Sequence, residues 1–238
     1  MKRVVMPEIL DGLDPEDRAA IGSRQDLRRL NSVMGHEALM GVEPLVELLG
    51  RKQVRVADIG AGDGTLMGRL ARRLSGQAWA GRERRNAPMC EPQAILVDRH
   101  PPDCQVVSQI YQSAGWKVAV AQADVFEWLL RTGPVDAIVA NLFLHHFQED
   151  ALARLLSSAA EKCDLFVACE PRRSPLALTA SRLLWAIGCN AVTRHDAAVS
   201  VRAGFRGQEI SALWSAKGWK LREEPAGWFS HRFVAAKK

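Results

Sequence analysis

The 238-residue chain has few cysteines, and their number and spacing argue against two kinds of stabilised fold. Five is an odd count, and no two cysteines form a C-x-x-C pair. A disulfide framework uses an even set, and zinc sites use closely spaced pairs, so we expect reduced thiols and no bound metal. The five residues are Cys90, Cys104, Cys163, Cys169 and Cys189.

The sequence also lacks a long apolar segment. Residues 1–10 contain no continuous hydrophobic stretch of the kind that forms a signal peptide. Apolar runs such as residues 137–144 are too short to cross a bilayer, which takes about 20 residues. We therefore expect a soluble cytoplasmic protein without a membrane span.

Charge and aromatic content argue against a nucleic-acid partner. The net charge is only +5, and aromatic residues make up 6% of the chain. Arg82, Arg84 and Arg85 form a basic cluster, but no aromatic residues interleave with it as they do on platforms for nucleic acids. The hydrophobic content of 47% and the length fit one enlarged globular domain or a domain with a cap.

The most informative feature that is present is a glycine turn between a predicted strand and a predicted helix. The strand is the apolar run at residues 54–59, and the helix begins at Thr65. Gly60, Gly62 and Gly64 occupy alternate positions between them, where the missing Cβ atoms let the backbone approach a ligand. The turn alone is equally compatible with a dinucleotide.

Strand and helix signals alternate after this turn. Such alternation predicts an α/β fold, with a doubly wound sheet of mostly parallel strands and helices on both faces. We expect residues 75–92 to be an irregular connection. Two further strands, 219–223 and 227–235, are predicted to pair antiparallel and close the sheet. The predicted strands are 54–59, 94–98, 116–121, 136–143 and 164–169, and the predicted helices are 64–75, 103–114, 125–132 and 148–162.

Helical segments flank this alternating region. Asp14 is positioned to cap a first helix that Gly35 ends, and a second helix is expected over residues 36–49. These helices make up a predicted N-terminal cap, residues 1–50, which either lies over a ligand site or covers a sheet edge. The remaining domain is then 51–238.

A second set of helical signals interrupts that domain at residues 174–217. Ser174 can cap a helix that continues through Trp185. A polar loop at residues 190–206 and a helix at 207–217 are expected to follow. We interpret this insertion as a helical cap over an acceptor pocket, with Trp185, Phe205 and Trp214 as apolar lining or as ordinary core.

Polar residues stand at or near the predicted carboxyl ends of several strands. Asp58 lies in the first strand, Asp98 ends the second, and Asp124 and Asn141 follow the third and the fourth. Ligands of open α/β sheets bind beyond this edge. Carboxylates there can accept hydrogen bonds from hydroxyl and amine groups of one ligand.

Together these motifs resemble the class I S-adenosylmethionine-dependent methyltransferases. Asp58-Ile59-Gly60-Ala61-Gly62-Asp63-Gly64 is similar to their first motif, and Ala123-Asp124-Val125-Phe126 is similar to their third. The resemblance covers about residues 54–171 and implies a Rossmann-like seven-stranded sheet with an antiparallel last strand, and S-adenosyl-L-methionine as cofactor. The implied cofactor-binding residues are Asp58, Gly60, Ala61, Gly62, Gly64, Asp98, Arg99, Asp124, Val125 and Asn141.

The resemblance implies that Asp98 binds the ribose hydroxyls and that Asp124 meets the adenine amine. Both positions have plainer interpretations, since Asp98 could cap the following segment and Asp124 could cap the helix at Val125. A nicotinamide-dependent dehydrogenase fits less well. Its acidic residue follows the first glycine by about 20 positions, whereas Asp98 lies 38 positions after Gly60.

Two histidines follow the fourth strand, where the family approaches the methyl donor. Either His145 or His146 could remove a proton from an acceptor hydroxyl as its oxygen attacks the methyl group. A structural role is the alternative for each. Arg194 and His195 in the insertion are candidate substrate contacts, and residues 170–173 are expected at the rim of the site.

The predicted function is methyl transfer to a small molecule, with O-methylation of a phenolic or polyketide- or quinone-like compound as the first hypothesis. The segment Leu144-His145-His146-Phe147 resembles small-molecule members of the family, and the Asn/Asp-Pro-Pro-aromatic motif of nucleic-acid amino methyltransferases is missing. An RNA or protein methyltransferase and a catalytically silent cofactor-binding assembly protein are the alternatives. Both a monomer and a homodimer remain open.

Overall fold

A computed structural model of the chain describes residues 1–14, 16–40, 42–49, 54–82 and 91–238. Seven strands form one sheet in the order β3-β2-β1-β4-β5-β7-β6. Strands β1 to β5 are parallel, and β7 runs antiparallel to both of its neighbours. The strands are β1 (Arg55–Ile59), β2 (Gln93–Asp98), β3 (Lys117–Gln122), β4 (Ala137–Asn141), β5 (Leu165–Pro171), β6 (Trp219–Ala226) and β7 (Ser230–Lys237). The predicted sheet with an antiparallel last strand is confirmed.

Helices cover both faces of the sheet. One face packs on α3, α4 and α5, and the other packs on α6, α7 and α10. Both faces are therefore apolar, which is why β1, β2, β4 and β5 read as nearly continuous hydrophobic runs. The helices are α1 (Arg18–Met34), α2 (His36–Leu39), α3 (Val42–Leu48), α4 (Thr65–Arg82), α5 (Cys104–Gln112), α6 (Val125–Arg131), α7 (Glu149–Lys162), α8 (Pro175–Arg182), α9 (Ala191–Ala203) and α10 (Glu209–Leu213).

Several predicted boundaries were wrong in the N-terminal half. Helix α1 starts at Arg18, because the side chain of Asp17, and not that of Asp14, accepts the backbone N–H of Ala19. The second predicted helix is divided into α2 and α3. Helix α4 continues through the first part of the segment expected to be irregular. Cys90, Arg84 and Arg85 lie outside the described residues.

The secondary structure of the insertion, residues 174–217, and of the hairpin formed by β6 and β7 also differs from the sequence prediction. Residues 190–206 were expected to be a loop, but most of them form α9, which Asn190 caps through the N–H of Thr193. The predicted helix at 207–217 is shortened to α10. Pro225 and Ala226 lie between the two predicted final strands, 219–223 and 227–235, but belong to β6.

The N-terminal segment and α1 pack against α9 of the insertion. Asp26 of α1 accepts hydrogen bonds from the backbone N–H of Asn190 and the hydroxyl of Thr193. Asp196 of α9 accepts the backbone N–H groups of Ile9 and Leu10 at 2.9 Å each. These contacts join the two predicted cap elements. Their action as a cap over an acceptor stays a prediction.

No helix within the described ranges has the length and apolarity needed to cross a membrane.

Candidate active site at the carboxyl edge of the sheet

The glycine turn after β1 has a backbone conformation that only glycine adopts without strain. Gly60, Gly62 and Gly64 have φ values of 69°, 55° and 70°. A Cβ at Gly60 would lie 2.2 Å from Phe143 Cδ2, and one at Gly64 would lie 2.6 Å from Leu96 Cδ1. Two of the three positions therefore also exclude a side chain by contact.

Asp98 at the end of β2 holds this turn in place. Its Oδ2 accepts the backbone N–H of Gly62 at 2.9 Å, and its Oδ1 accepts that of His100 at 2.8 Å. Each carboxylate oxygen has a second lone pair, so Asp98 retains acceptor capacity for a ligand. The capping role and the ligand role considered for Asp98 are thus compatible.

Asp58 is buried beneath the turn. Burial raises the pKa of its carboxyl group to about 8, and the nearby charges of Asp98 and Asp63 act in the same direction. Asp58 is therefore mostly protonated at neutral pH. Asp63 accepts the N–H of Thr65 at the start of α4 and forms an ion pair with Arg28 of α1. The turn is thus tied to the N-terminal helix.

Asp124 combines a cap with an ion pair. Its Oδ1 accepts the backbone N–H of Phe126 at 2.8 Å, which is the capping interpretation made from sequence. Its Oδ2 pairs with the guanidinium of Arg99, and the two groups mutually favour their charged forms: the pKa of Arg99 is raised and that of Asp124 is lowered. The structure therefore brings Asp98, Arg99 and Asp124 together beside β2 and β3.

Two polar side chains with buried atoms meet where β4 ends. Asn141 Oδ1 and His36 Nδ1 make no hydrogen bond of standard geometry among the described residues, but the two side chains interact, since Asn141 acts to raise the pKa of His36. Burial outweighs this and lowers the pKa of His36 to about 4, so the imidazole is neutral, with its Nε2 3.1 Å from Ser230 Oγ. Leu142, the next residue along, has φ 52°, a strained value for a non-glycine residue. This strain beside buried polar groups marks the strand end as a candidate reaction site.

Glu170 at the end of β5 organises the loop after β4. The sequence predicted that Glu170 lies at the rim of the site, but its side chain is fully buried. Its carboxylate accepts the backbone N–H groups of Phe143, Leu144 and His145 at 3.0, 2.9 and 3.3 Å. Glu170 thereby fixes the start of the short 3-10 helix at Leu144–His146.

His145 lies between two carboxylates. Its Nδ1 is 2.8 Å from Glu170 Oε2, and its Nε2 is 3.3 Å from Glu8 Oε1. Burial lowers the pKa of His145, but the hydrogen bonds and charges of Glu170 and Glu8 outweigh it and raise the pKa to about 9. Both ring nitrogens are engaged and the ring is protonated at neutral pH, so nothing in this geometry supports His145 as a base.

His146 is partly exposed and pairs with the N-terminal segment. Its Nδ1 lies 3.4 Å from Asp11 Oδ2, and this contact lowers the pKa of Asp11. A carboxylate at one ring nitrogen leaves the other available for proton transfer. Of the two predicted catalytic histidines, only His146 has this arrangement.

The predicted substrate contacts do not converge on the strand ends. Arg194 is exposed on α9, and its Nε donates to the carbonyl oxygen of Asn190 at 3.3 Å. His195 is also exposed, with Nδ1 at 2.9 Å from Asp196 Oδ1. Trp185 is exposed as well. Phe205 and Trp214 are buried in the core behind the sheet, as the plainer interpretation of these aromatic residues stated.

Sequence reasoning missed Glu8, Asp11 and His36, and it misjudged Glu170. The first three lie in the N-terminal 40 residues, more than 100 positions from their partners after β4. For Glu170 a signal existed, since it is an acidic residue at a strand end like Asp98.

The comparisons with known proteins agree with this geometry. Residues 56–163 match the family described as "Methyltransferase domain", and this range contains the glycine turn, Asp98, Asp124 and both histidines. The match covers a little under half of the chain, and it agrees with the resemblance of the motifs to the class I S-adenosylmethionine-dependent methyltransferases. The resemblance stated from the motifs is thus confirmed, whereas the roles of individual residues stay predictions.

Solved methyltransferases share the fold over nearly the whole chain. The plantazolicin methyltransferase BpumL, in complex with SAH, has a TM-score of 0.63 at 10% identity and covers 94% of this chain and 92% of its own. An O-methyltransferase family protein from Burkholderia thailandensis has a TM-score of 0.58 at 17% identity, over 95% of this chain and 61% of its own.

A third similar structure is the mitomycin 7-O-methyltransferase MmcR, with a TM-score of 0.55 at 20% identity, over 96% of this chain and 59% of its own. At these identities the likeness shows the fold. None of the curated proteins compared with the chain matches it.

Proposed function

We propose that this methyltransferase transfers the methyl group of S-adenosylmethionine to an oxygen of a small-molecule acceptor. The observation that carries the proposal is the set of polar groups at one sheet edge, running from the glycine turn through Asp98 and Asp124 to Asn141 and His146. The similar structures described above support a small acceptor, since two of them are named for the single compounds plantazolicin and mitomycin.

The donor is proposed to bind across the carboxyl ends of β1, β2 and β3. Asp98 accepts bonds from the ribose hydroxyls with its remaining lone pairs, and Asp124 accepts from the adenine amine while it caps α6. The donor carries positive charge on its sulfonium and ammonium groups, and Asp58 provides a carboxyl group that becomes anionic when such a charge approaches. The remaining proposed contacts are the turn Gly60, Ala61, Gly62 and Gly64, and Arg99 and Val125 beside the adenine site.

These residues fit the donor on two counts that do not depend on the family. Asn141 Oδ1 is a buried acceptor that makes no hydrogen bond of standard geometry among the described residues; its side chain interacts with His36 but retains a lone pair for a donor ammonium or an acceptor hydroxyl. Gly62 in the turn is exposed, and the space around its missing Cβ is open to a ligand. The donor supplies an electrophilic methyl group, and the chain supplies its position relative to the acceptor oxygen.

His146 is the proposed base for the acceptor hydroxyl. Asp11 holds its Nδ1 side, so the opposite nitrogen can accept the proton as the acceptor oxygen attacks the methyl carbon. His145 is a positioning residue in this proposal. It ties the N-terminal segment, through Glu8, to Glu170 and the end of β4.

The acceptor is proposed to lie between the strand ends and the cap formed by residues 1–50 and 174–217. The backbone N–H groups of Ile9 and Leu10 donate hydrogen bonds to Asp196, and these bonds hold this cap together. Arg194 and His195 are exposed and remain proposed contacts only for an acceptor that extends to the outer surface of α9.

A methyl-transfer screen with isotopically labelled donor tests the proposal. Phenolic compounds, quinone precursors, bulk RNA and a protein extract are offered separately, with the His146→Ala variant as control. Label in a phenolic or quinone-like compound that falls in the variant supports the proposal. Label in RNA or protein alone contradicts it, as does donor binding in calorimetry without transfer to any acceptor.

A further inference from the structure

Three potential metal ligands meet beside the end of β4. Glu8 comes from the N-terminal segment, and His145 and His146 come from the 3-10 helix after the strand. One ligand atom of each lies within 4.8 Å of those of the other two. The side chains are 12%, 3% and 26% exposed, so this is a largely desolvated group and not a surface cluster. Two imidazoles and one carboxylate are the protein ligands of a common class of zinc site.

Glu170 supplies the supporting carboxylate that such sites use. Its Oε2 accepts a hydrogen bond from His145 Nδ1, and His145 Nε2 is directed at Glu8. A cation bound between Nε2 and Glu8 would replace the Nε2 proton, which is released to solvent. Metal-binding histidines usually donate their second ring N–H to a carboxylate or a carbonyl oxygen, which fixes the tautomer and the ring orientation. In this chain that carboxylate is itself held by three backbone N–H groups.

The spacing of the first ligand pair suits a small divalent cation. His145 Nε2 and Glu8 Oε1 are 3.3 Å apart. Two ligands that each lie about 2.0–2.1 Å from zinc in tetrahedral geometry are separated by about 3.3–3.4 Å. A ring nitrogen of His146 lies within 4.8 Å of a ligand atom of each of the other two residues. Ser200 also donates to Glu8 and restrains its carboxylate.

We propose that Glu8, His145 and His146 bind a divalent transition-metal cation, with zinc as the best match. This differs from the sequence expectation of no metal. Three protein ligands would leave one tetrahedral position for a further ligand. A bound cation would link the N-terminal segment to the end of β4. It would supply Lewis-acid polarisation of an acceptor oxygen, and this role would replace the base role proposed for His146, because the same imidazole cannot serve in both. Cation binding itself does not depend on methyl transfer.

Titration of chelator-treated protein with zinc chloride alone, without donor or acceptor, tests the site. A competing chromophoric chelator gives the affinity, and elemental analysis gives the stoichiometry. We expect one zinc ion per chain in the wild type. Glu8→Gln and His146→Ala should each weaken binding at least tenfold, and Glu170→Gln should weaken it about 10–100-fold through His145. His100→Ala, at an exposed histidine outside the group, is the matched control and should bind as the wild type does.

Two results would overturn the site: no stoichiometric binding by the wild type, or wild-type affinity in both Glu8→Gln and His146→Ala. Circular dichroism and thermal unfolding identify variants that do not fold. If Glu8→Gln fails to fold, His146→Ala decides alone, since that residue is partly exposed. A failed methyl-transfer screen leaves the zinc result unchanged, and a failed zinc titration leaves the screen unchanged.

Discussion

The proposed donor side and the proposed acceptor side of the site are built in different ways. The proposed donor side, residues 54–64, 98–99 and 124–125, uses strand ends, a glycine turn and helix caps that all fall within residues 54–125. The acceptor side joins residues 8–11 and His36 to the loop after β4 and to Glu170. Parallel strands bring donor-side residues together by topology alone, whereas the acceptor side depends on long-range tertiary contacts.

The prediction with the largest expected effect tests whether donor binding depends on the backbone conformation of the glycine turn. Gly60→Ala requires an alanine at φ 69° with its Cβ 2.2 Å from Phe143. Strain and overlap together cost on the order of 3 kcal/mol or more, so the free variant adopts a displaced turn. Donor binding must then restore the strained turn at that cost, and donor affinity in calorimetry should fall by roughly 100-fold or more.

Gly62→Ala is the matched control, because its φ of 55° is similar but no atom lies within 4 Å of the added Cβ. It should lose clearly less affinity than Gly60→Ala. Equal losses would mean that backbone strain decides the effect and that the contact with Phe143 adds nothing.

The next prediction separates the acceptor side from the donor side. His146→Ala should slow single-turnover transfer by on the order of 100-fold. The variant lacks the proposed base for the acceptor hydroxyl, or, if the cation is bound, one of the three ligands of that cation. Donor affinity should change little, since His146 lies outside the donor side. Asp11→Asn should have an intermediate effect on the rate. A wild-type rate in His146→Ala would remove this residue from the mechanism.

The difference between the two sides explains which residues of the site could be predicted from the sequence. Asp98 and Asp124 were found because each follows a strand that local periodicity identifies. Glu8 and His145 are 137 positions apart, and no local pattern links them. Residues 190–206 were expected to be a loop because the stretch is polar. Asp196 of α9 is nevertheless buried, since it accepts the N–H groups of Ile9 and Leu10, a contact that exists only in the folded chain.

A third prediction concerns Asp98, whose carboxylate accepts a hydrogen bond from the glycine turn and is proposed to accept hydrogen bonds from the donor. Asp98→Ala removes the acceptor for the Gly62 N–H and the proposed acceptor for two ribose hydroxyls. The loss should be about 2 kcal/mol, or roughly 30-fold in donor affinity by calorimetry. Asp103→Ala is the control, since Asp103 caps α5 through Gln105. It should lower the melting temperature without a comparable loss of donor affinity.

The prediction with the smallest expected effect concerns the pH dependence of donor binding. It tests whether the Asp58 carboxyl group loses its proton when the cationic donor binds. Its pKa of about 8 in the folded protein lies above the unfolded value of about 3.9. The folded state therefore binds the extra proton, and the stability of the donor-free protein falls as pH rises from about 4 towards 8. A cationic donor favours the carboxylate, so donor affinity should rise roughly tenfold between pH 6 and pH 8 and level off above 8. Asp58→Asn should remove both trends in calorimetry and thermal unfolding. If the affinity of the wild type is flat over this range, Asp58 does not interact with the donor charge and serves only to pack the turn.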